Sequence, residues 1–460
     1  MSEAFAVKLV PMNFKLTAPD RDFLKDVRQF LAETWPTNAW QMPGPRQWRD
    51  QRRFIDALAS RGWLTPQWPV AAGGAGWSPR QRLLWEQELA AVCGPQLSMH
   101  GADLIGPLLQ QVGTYAQQER HLPAIARGDV AWCPALGEDS GALDLAQIQC
   151  RATPIANINA NTNPGGGYWR LDGTKPWVLD VAPAETAEHN WFCVLAEMAG
   201  KRGEYSLFLV DSAATGVAIT PRPMIGELAG QHRVHSLTLD NVLVGAEDVL
   251  GAPGSGGISA QWLEQEALCR PGLLARNRRL LTELRAMAQP QTGSARDSEA
   301  DPEGLWQDEQ FRVRLHALEV ELEALEVLEA RAYAGPGSGA ASDPLELRLG
   351  VASKMSPLNQ KLADLQMDAL GYFALPFVDF SALDNEGPIG PEFSQPALLG
   401  MLSDRARAAV SAPCEHLKNI IAKSVLQLPD NAVSSDPAKP VSGWPDKQTQ
   451  TDINRFRPNN

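Results

Sequence analysis

Hydrophobic residues recur at helical spacing through the first part of the chain. Apolar side chains three or four residues apart mark amphipathic stretches at 20–34, 47–61, 78–92 and 101–127. Thr17 or Asp20 can cap the first of these helices, because both side chains accept hydrogen bonds from free backbone amides. The pattern predicts an N-terminal helical domain over residues 1–130.

The spacing changes after residue 130. Short apolar runs typical of β-strands, separated by Gly, Pro and Asn, occur at 168–173, 191–198, 205–211 and 234–244. The segment NINANTNPGGG at 157–167 has the composition of a flexible loop tip. We therefore predict a β-rich central domain over residues 131–252.

Helical spacing returns at about Ile258 and continues to about Ala422. Two long helices are predicted at 308–334 and 345–370, the second ending at Gly371. Their apolar positions favour a packed helical bundle over a coiled coil, because three full heptads are not sustained. The pattern predicts a C-terminal bundle over 253–428, followed by a polar, Pro-rich tail at 429–460 that is disordered or wraps a partner.

Composition and charge restrict the class of protein. Hydrophobic residues make up 44% and charged residues 21%, which is ordinary for a globular protein that can bury a large core. The formal net charge of −13 argues against a nucleic-acid surface, which would carry a basic stripe. A local basic patch can still bind an anionic ligand.

Cysteine usage and the N-terminus predict a cytoplasmic protein. The six cysteines form no C-x-x-C pair and no cluster with histidine, so we expect buried free thiols and no metal site. The first residues lack the apolar core of a signal peptide, and no run of about 18 apolar residues predicts a membrane span.

Four sequence blocks, in order, resemble the acyl-CoA dehydrogenase superfamily. They are GWLTPQWPVAAGGAGWS with its following helix (62–90), GPLLQQVGTYAQQERHLPAIARGDVAWC (106–133), LDGTKPWVLDVA (171–182) and CEHLKNIIAKSVLQLP (414–429). The resemblance covers residues 14–429. It implies an α+β fold with an N-terminal helical bundle, a central β-barrel or sandwich and a C-terminal four-helix bundle. It also implies the cofactor FAD and α,β-dehydrogenation of an acyl-CoA thioester.

Two further segments resemble one branch of that family. Trp132–Cys133 and YFALPFVDFSALDNEGPIG (372–390) are most similar to large subunits of two-gene enzymes that act on dicarboxylyl, aromatic or steroid-derived CoA esters. The resemblance implies an acyl-CoA substrate. The implied partner is a smaller paralogous acyl-CoA dehydrogenase subunit in a heterotetramer, or a further copy in a homo-oligomer.

The segment that would hold the flavin is altered. Family members carry SEP-G-x-GSD after the Trp-Cys pair, and this chain reads GEDSGALDL at 137–145. Glu138, Gly141 and Asp144 match the cofactor-binding pattern, whereas the two serine positions are Gly137 and Leu143. Because leucine has no hydrogen-bond donor on its side chain, at least one contact with the pyrophosphate is lost. The alternative is a plain surface loop.

Three more residues match cofactor positions of the family. Trp177 corresponds to a tryptophan that packs near the flavin ring, although a core tryptophan is an equal interpretation. Leu179 stands where the family has a threonine, so only its backbone amide can still donate. Glu415 matches a glutamate linked to structure or to the adenosine end of FAD.

The catalytic base is the hardest residue to assign. The reaction needs a carboxylate within hydrogen-bond reach of the substrate Cα hydrogen. One branch of the family places it where this chain has Ser411; the other branch places it at Ala267, Glu266 or Cys269, depending on how the helix is aligned. Glu266 is the plausible carboxylate, because Glu264 points about 200° away at about 100° per residue. The alternative is a solvated helical glutamate.

Other enzyme classes fit the sequence poorly, and three functions remain. There is no G-x-S-x-G motif of a hydrolase, and the Gly-rich segments lack the context of a dinucleotide fingerprint. The chain could be an active FAD subunit with Glu266 or a partner's residue as base. It could be a non-catalytic subunit that stabilises a partner or completes its flavin site, which the replacements at 137, 143, 179 and 411 favour. It could also reuse the fold without flavin.

Overall fold

The computed structural model describes residues 16–35, 45–92, 97–138, 143–155, 167–182, 187, 189–226, 234–288, 305–333, 344–375, 395–410 and 414–428. The structural statements below concern these residues. Gly141, Ser411, the loop residues 157–166 and the tail at 429–460 lie outside them.

The N-terminal part is helical, as its sequence pattern predicts. Its helices are α1 (Ala18–Thr34), α2 (Pro45–Ser60), α3 (Pro79–Ala91), a π-helical turn (Gly101–Ile105), α4 (Gly106–Val112) and α5 (Tyr115–Arg127). Thr17 is the N-cap of α1, and the Asp20 carboxylate accepts a hydrogen bond from the Thr17 backbone N–H in a capping box. Thus the two residues proposed as alternative caps act together.

Aromatic rings fill the core of the N-terminal helices. Phe30 of α1 contacts Trp63 and Trp85 with ring centroids 4.8 and 6.2 Å apart, and Trp77 lies 5.1 Å from Trp63. Such tilted and edge-to-face contacts stabilise packing beyond the burial of area alone. We call Phe30, Trp63, Trp77 and Trp85 the aromatic cluster.

The turn before α3 is locked onto α4 through Trp68. Its indole Nε1 donates to the carbonyl of Ala102 at 2.7 Å, and the ring is buried. A Cβ at Gly106 would lie 1.9 Å from the Trp68 ring, so this position needs glycine. The Gly, Pro and Trp of this segment therefore build a packed turn.

The central part is one sheet of eight described strands. They are β1 (Val130–Ala135), β2 (Arg151–Ile155), β3 (Tyr168–Leu179), β4 (His189–Met198), β5 (Tyr205–Asp211), β6 (Val217–Pro221), β7 (Val234–Gly245) and β8 (Val249–Leu250). The order is β6-β7-β3-β2-β4-β5-β8, with β1 parallel to β4. These strands form an open path and do not close into the barrel that the resemblance offered as one possibility. The pairing of β3 with β7 contains two register shifts of the kind that β-bulges produce.

Helices return after the sheet. They are α6 (Gly256–Leu268), α7 (Ala275–Ala288), α8 (Glu309–Ala332), α9 (Pro344–Leu370), α10 (Gln395–Val410) and α11 (Cys414–Ile420). Leu315, Leu318 and Leu322 of α8 pack with Leu358 and other apolar residues of α7 and α9. The prediction of a packed helical region is confirmed. Residues up to Lys418 form one compact unit, and Asn419 onward forms a second, whose described part contains a π-helical turn at Ile421–Val425.

The loop before α7 is fixed by a buried carboxylate. Glu329 of α8 is 2% exposed and accepts a hydrogen bond from the backbone N–H of Leu273 at 2.9 Å. Gly272 has φ of 76°, and a Cβ there would lie 2.2 Å from Cβ of Glu86. Glu329 therefore holds a close contact between α3 and the start of the bundle.

The cysteines and the helices bear on two predictions that were made from the composition. Cys133, Cys150, Cys193 and Cys269 are buried free thiols, as expected, and burial raises the pKa of each. Among the described helices, none combines the length and the apolar character needed to cross a bilayer.

Candidate functional site

Glu138 lies at the end of β1 and is bound inside the central sheet. Its Oε1 lies 2.6 Å from Nζ of Lys175, a fully buried residue of β3 whose ammonium also donates to the carbonyl of Leu136 at 2.9 Å. The carboxylate also accepts the backbone N–H groups of Gln149 at 2.6 Å and Cys150 at 3.0 Å. The carboxylate thus neutralises the Lys175 ammonium, and each of its oxygens accepts at least one hydrogen bond from the protein itself.

Leu143 lies where the resemblance expects a serine that contacts flavin. Its side chain is 9% exposed and packs in the same apolar cluster as Leu263 of α6. Its backbone N–H donates to Oε1 of Glu264 at 2.7 Å. Nε2 of His416 in α11 lies 2.9 Å from the same oxygen. Glu264 therefore joins this segment to two C-terminal helices, an arrangement that we call the Glu264 junction.

The neighbouring Asp144 has a local role in the structure. Its side chain accepts the backbone N–H of Ala146 at 3.0 Å and caps the 3₁₀ turn Leu145–Gln147. The residue is exposed to solvent.

Trp177 and Leu179 lie near the end of β3. The guanidinium carbon of Arg222 lies 4.1 Å from the centroid of the half-buried Trp177 ring, a cation–π contact. Leu179 pairs with Val234 of β7 and is also half-buried. Asp180 follows with φ of 55°, a left-handed conformation that is uncommon for residues other than glycine. The strand therefore ends in a sharp turn beside the Arg222–Trp177 pair.

Glu266, the predicted base, faces α9. Both of its carboxylate oxygens accept hydrogen bonds from Arg348, at 3.0 and 3.1 Å. The side chains of the pair are 28% and 19% exposed. Nearby, the hydroxyl of buried Tyr333 donates a hydrogen bond to the backbone carbonyl of Cys269. Burial raises the pKa of the Cys269 thiol to about 12. On this side of α6, polar contacts thus occupy both carboxylate oxygens of Glu266.

The structure brings together some of the predicted residues and separates others. Leu143 meets α6 through Glu264, which sequence reasoning had set aside, and not through Glu266. Glu415 is exposed in the first turn of α11. Sequence reasoning missed Lys175 and Arg348. A lysine inside the apolar strand LDGTKPWVL was a usable signal, since a buried lysine needs an acidic partner. The sequence around Arg348 gave no such signal.

Three of the positions matched to cofactor contacts, Glu138, Leu143 and Leu179, fit an FAD held by this chain alone poorly. Leu143 has no side-chain donor, and its backbone amide already binds Glu264. Leu179 has no side-chain donor either. Glu138 uses both oxygens within the sheet. We therefore derive no chemical step through flavin on this chain.

In chain order the described elements form one set of helices, a central sheet and a second set of helices, and the Glu264 junction joins Leu143 to the second set. Residues 17–129 match the family model for the acyl-CoA dehydrogenase N-terminal domain. The chain also resembles a solved structure described as the Tcur3481-Tcur3483 steroid ACAD, with TM-score 0.68 and 19% identity. That alignment covers 91% of this chain and 100% of the other.

Two further comparisons agree with this assignment. The ChsE4-ChsE5 complex from Mycobacterium tuberculosis gives a TM-score of 0.70 at 19% identity, over 91% of this chain and 99% of that one. The acyl-CoA dehydrogenase IpdE1 of Mycolicibacterium smegmatis is 29% identical over 245 residues, which is 51% of this chain and 61% of that relative. The matching segment is thus less than two thirds of the relative's length. Residues 17–129 belong to the acyl-CoA dehydrogenase N-terminal domain family, and the chain has the acyl-CoA dehydrogenase fold.

Proposed function

We propose that the chain is a subunit of a heteromeric acyl-CoA dehydrogenase complex in which the flavin chemistry takes place mainly at a partner's site. The partner is a smaller paralogous subunit, and the cofactor of the complex is FAD. In this function the chain stabilises the partner or completes its flavin site. Similarity to structures named as two-component assemblies supports this choice of partner.

The observation that carries the proposal is the ion pair between Glu266 and Arg348. A general base must offer a free oxygen to the hydrogen that it removes. Here both oxygens of Glu266 accept from one guanidinium, so the carboxylate would have to release Arg348 before it could take a proton. The occupied amide of Leu143 is an independent observation in the same direction.

A second candidate function is an active dehydrogenase subunit with Glu266 as its base. The exposure of its side chain, 28%, favours this candidate, because a substrate could reach the carboxylate without unfolding the helix. In that case Arg348 would move away when the thioester binds. The two candidates differ in whether Glu266 is needed for turnover.

The acyl group is inferred from relatives. One structural neighbour is described as a steroid acyl-CoA dehydrogenase. The sequence resemblance at 372–390 points to the same branch of the family. We therefore propose a bulky, steroid-derived CoA thioester as substrate of the complex.

The test compares the chain alone with the chain co-expressed with a smaller paralogous subunit. We expect the chain alone to be colourless and the co-purified complex to show the absorption bands of a flavin that bleaches with an acyl-CoA. One FAD per chain in the isolated protein, bleached by an acyl-CoA, would overturn the proposal.

Substitution of Glu266 then separates the two candidates. Glu266→Gln in the assembled complex is expected to leave turnover within about twofold of wild type. Glu321→Gln is the matched control, because Glu321 also pairs with a cation, Lys361, on the surface of the bundle. Loss of turnover in the first variant only, with normal assembly, would establish Glu266 as the base.

A further inference from the structure

Arg222 lies against the ring of Trp177 and has no acceptor for its N–H groups among the residues that the structure describes. Its guanidinium carbon is 4.1 Å from the ring centroid, and the side chain is half-buried. The cation–π contact engages the positive charge, whereas the five N–H donors of the guanidinium stay without a hydrogen bond from the described part. Partly buried donors without acceptors lower stability, so these donors are suited to bind a ligand.

The other described arginines that contact aromatic rings each bind a carboxylate as well. They are Arg61 with Asp26 at 3.3 Å, Arg120 with Asp248 at 2.8 Å and Arg285 with Glu319 at 2.9 Å. Of the four described arginines with a ring contact, only Arg222 lacks such a carboxylate, although its ring contact is the shortest of the set. The pattern within the chain therefore indicates an oxyanion as the complement of Arg222.

The backbone of Arg222 is rigid. Pro221 and Pro223 flank the residue, and a residue that precedes proline is restricted to extended conformations. The N–H of Arg222 donates to the carbonyl of Val234 at 2.9 Å, which continues the pairing of β6 with β7. The guanidinium is therefore positioned by its backbone and by the Trp177 ring, and such preorganisation favours binding.

The loop that carries Arg222 is also fixed to α10. The carbonyl of Gly226 accepts a hydrogen bond from the Ser403 hydroxyl at 2.8 Å. Gly226 has φ of 85°, and a Cβ there would lie 2.5 Å from the Ser403 backbone nitrogen, so this close approach needs glycine. The loop is thus held by β7 at one end and by α10 at the other.

The chemistry of Arg222 selects the class of ligand. A guanidinium is planar and always charged, and its paired N–H groups match the two oxygens of a carboxylate or a phosphate. A neutral ligand would leave the charge of Arg222 uncompensated. The net charge of −13 gives the chain no general attraction for anions, so binding has to come from this local contact.

We propose that Arg222, oriented by Trp177, binds the carboxylate or phosphate group of a small ligand. The inference goes beyond the proposed function, because it requires neither flavin nor a partner subunit. The ligand group takes the place that a carboxylate of the chain itself has at the other arginines with ring contacts.

Modification of arginine by phenylglyoxal tests the site in the full-length chain without a partner. Peptide mass spectrometry measures the rate at each arginine in sodium chloride, and in inorganic phosphate or acetate at the same ionic strength. Arg202 is the matched control, because it is exposed and has neither an ion pair nor a ring contact with a described residue. At about four times the dissociation constant, the bound anion should slow modification of Arg222 about fivefold and leave Arg202 within about twofold.

The two anions identify the group that is bound. Protection of Arg222 by phosphate alone supports a phosphate ligand, and protection by acetate alone supports a carboxylate ligand. Equal protection of Arg222 and Arg202, or protection of neither, overturns the proposal. So does an Arg222 that reacts only after unfolding in urea, because the guanidinium is then already enclosed or paired within the chain.

Substitution of Arg222 gives a second measurement, the rise in melting temperature on addition of the protecting anion. Anions such as phosphate also stabilise folded proteins in general, so the readout is the difference between variants. Arg222→Gln should rise less than wild type, and Arg202→Gln should match wild type. Arg222→Lys should be intermediate, because lysine keeps the charge but not the planar donors.

A wild-type rise in Arg222→Gln would contradict the proposal. These measurements are separable from the test of the proposed function. They use the isolated chain and a colourless anion, whereas that test depends on flavin absorption in the assembled complex, so either proposal can fail while the other stands.

Discussion

Arg348 on α9 binds both oxygens of Glu266 on α6, at 3.0 and 3.1 Å. Removing the cation leaves a partly buried carboxylate without its partner. We expect Arg348→Gln to lower the free energy of unfolding by about 1–3 kcal/mol. Urea denaturation measures this change in the free energy of unfolding. The control is Lys361→Gln, which removes the cation of a more exposed pair with Glu321 and should lower the free energy of unfolding by less than about 1 kcal/mol. Equal losses of unfolding free energy in the two variants would show that the Glu266–Arg348 pair contributes no more to stability than the exposed pair.

Lys175 should be among the most sensitive charged residues of the chain. Its side chain is fully buried and binds Glu138 and the carbonyl of Leu136. Lys175→Met is expected to cost about 3–5 kcal/mol, since Glu138 then keeps an uncompensated charge in the sheet. The double variant with Glu138→Gln should be less destabilised than the sum of the two single variants. Strict additivity in a double-mutant cycle would contradict this coupling.

Glu329 should make stability depend on pH. Desolvation raises its pKa from 4.5 to about 7 in the folded protein, even though backbone N–H groups favour the charged form. The folded state therefore binds more protons than the unfolded state between these values. The stability from this group is complete below about pH 4.5 and is lost as pH rises through about 7. The change is on the order of 3 kcal/mol.

Glu329→Gln is the variant that isolates this effect. We expect the difference in unfolding free energy between wild type and variant to shift against the wild type as pH rises from 5 to 8. Glu309→Gln, at the exposed start of α8, serves as the control and should show no such trend. A pH-independent difference for Glu329→Gln would reject the raised pKa.

Gly106→Ala should destabilise the protein despite the better helix propensity of alanine. Propensity favours the change by about 1 kcal/mol. The added Cβ would lie 1.9 Å from the buried Trp68 ring, which is also held by its bond to Ala102. Overpacking of this kind costs about 1–3 kcal/mol, so a lower melting temperature is expected. Gly167→Ala is the control, because no atom lies within 4 Å of the new Cβ, and it should leave the melting temperature unchanged.

The sequence predicted the elements well because their signals are local. Helical spacing and the Thr17 cap placed α1 within two residues of its observed start at Ala18. Gly371 ended α9 at Leu370, as expected. The strand runs at 191–198 and 205–211 lie in β4 and β5. Local periodicity and capping do not depend on the rest of the fold.

The candidate site was less predictable because its contacts join distant positions. Glu266 and Arg348 are separated by 82 residues, and Leu143 and Glu264 by 121. The helical wheel separated Glu264 from Glu266, but it could not show which of them meets Leu143. The register shifts between β3 and β7 are also not revealed by a single sequence.

The aromatic cluster gives the protein a built-in optical probe. Indole emission is sensitive to neighbouring rings and to water, and Trp63, Trp77 and Trp85 lie in mutual contact. Between residues 253 and 428 the chain has only Trp262 and Trp306. Fluorescence will therefore record mainly the melting of the first 130 residues and the sheet, while circular dichroism also records the long helices. If the two signals fall at different temperatures, the N-terminal half and the bundle unfold as separate cooperative units.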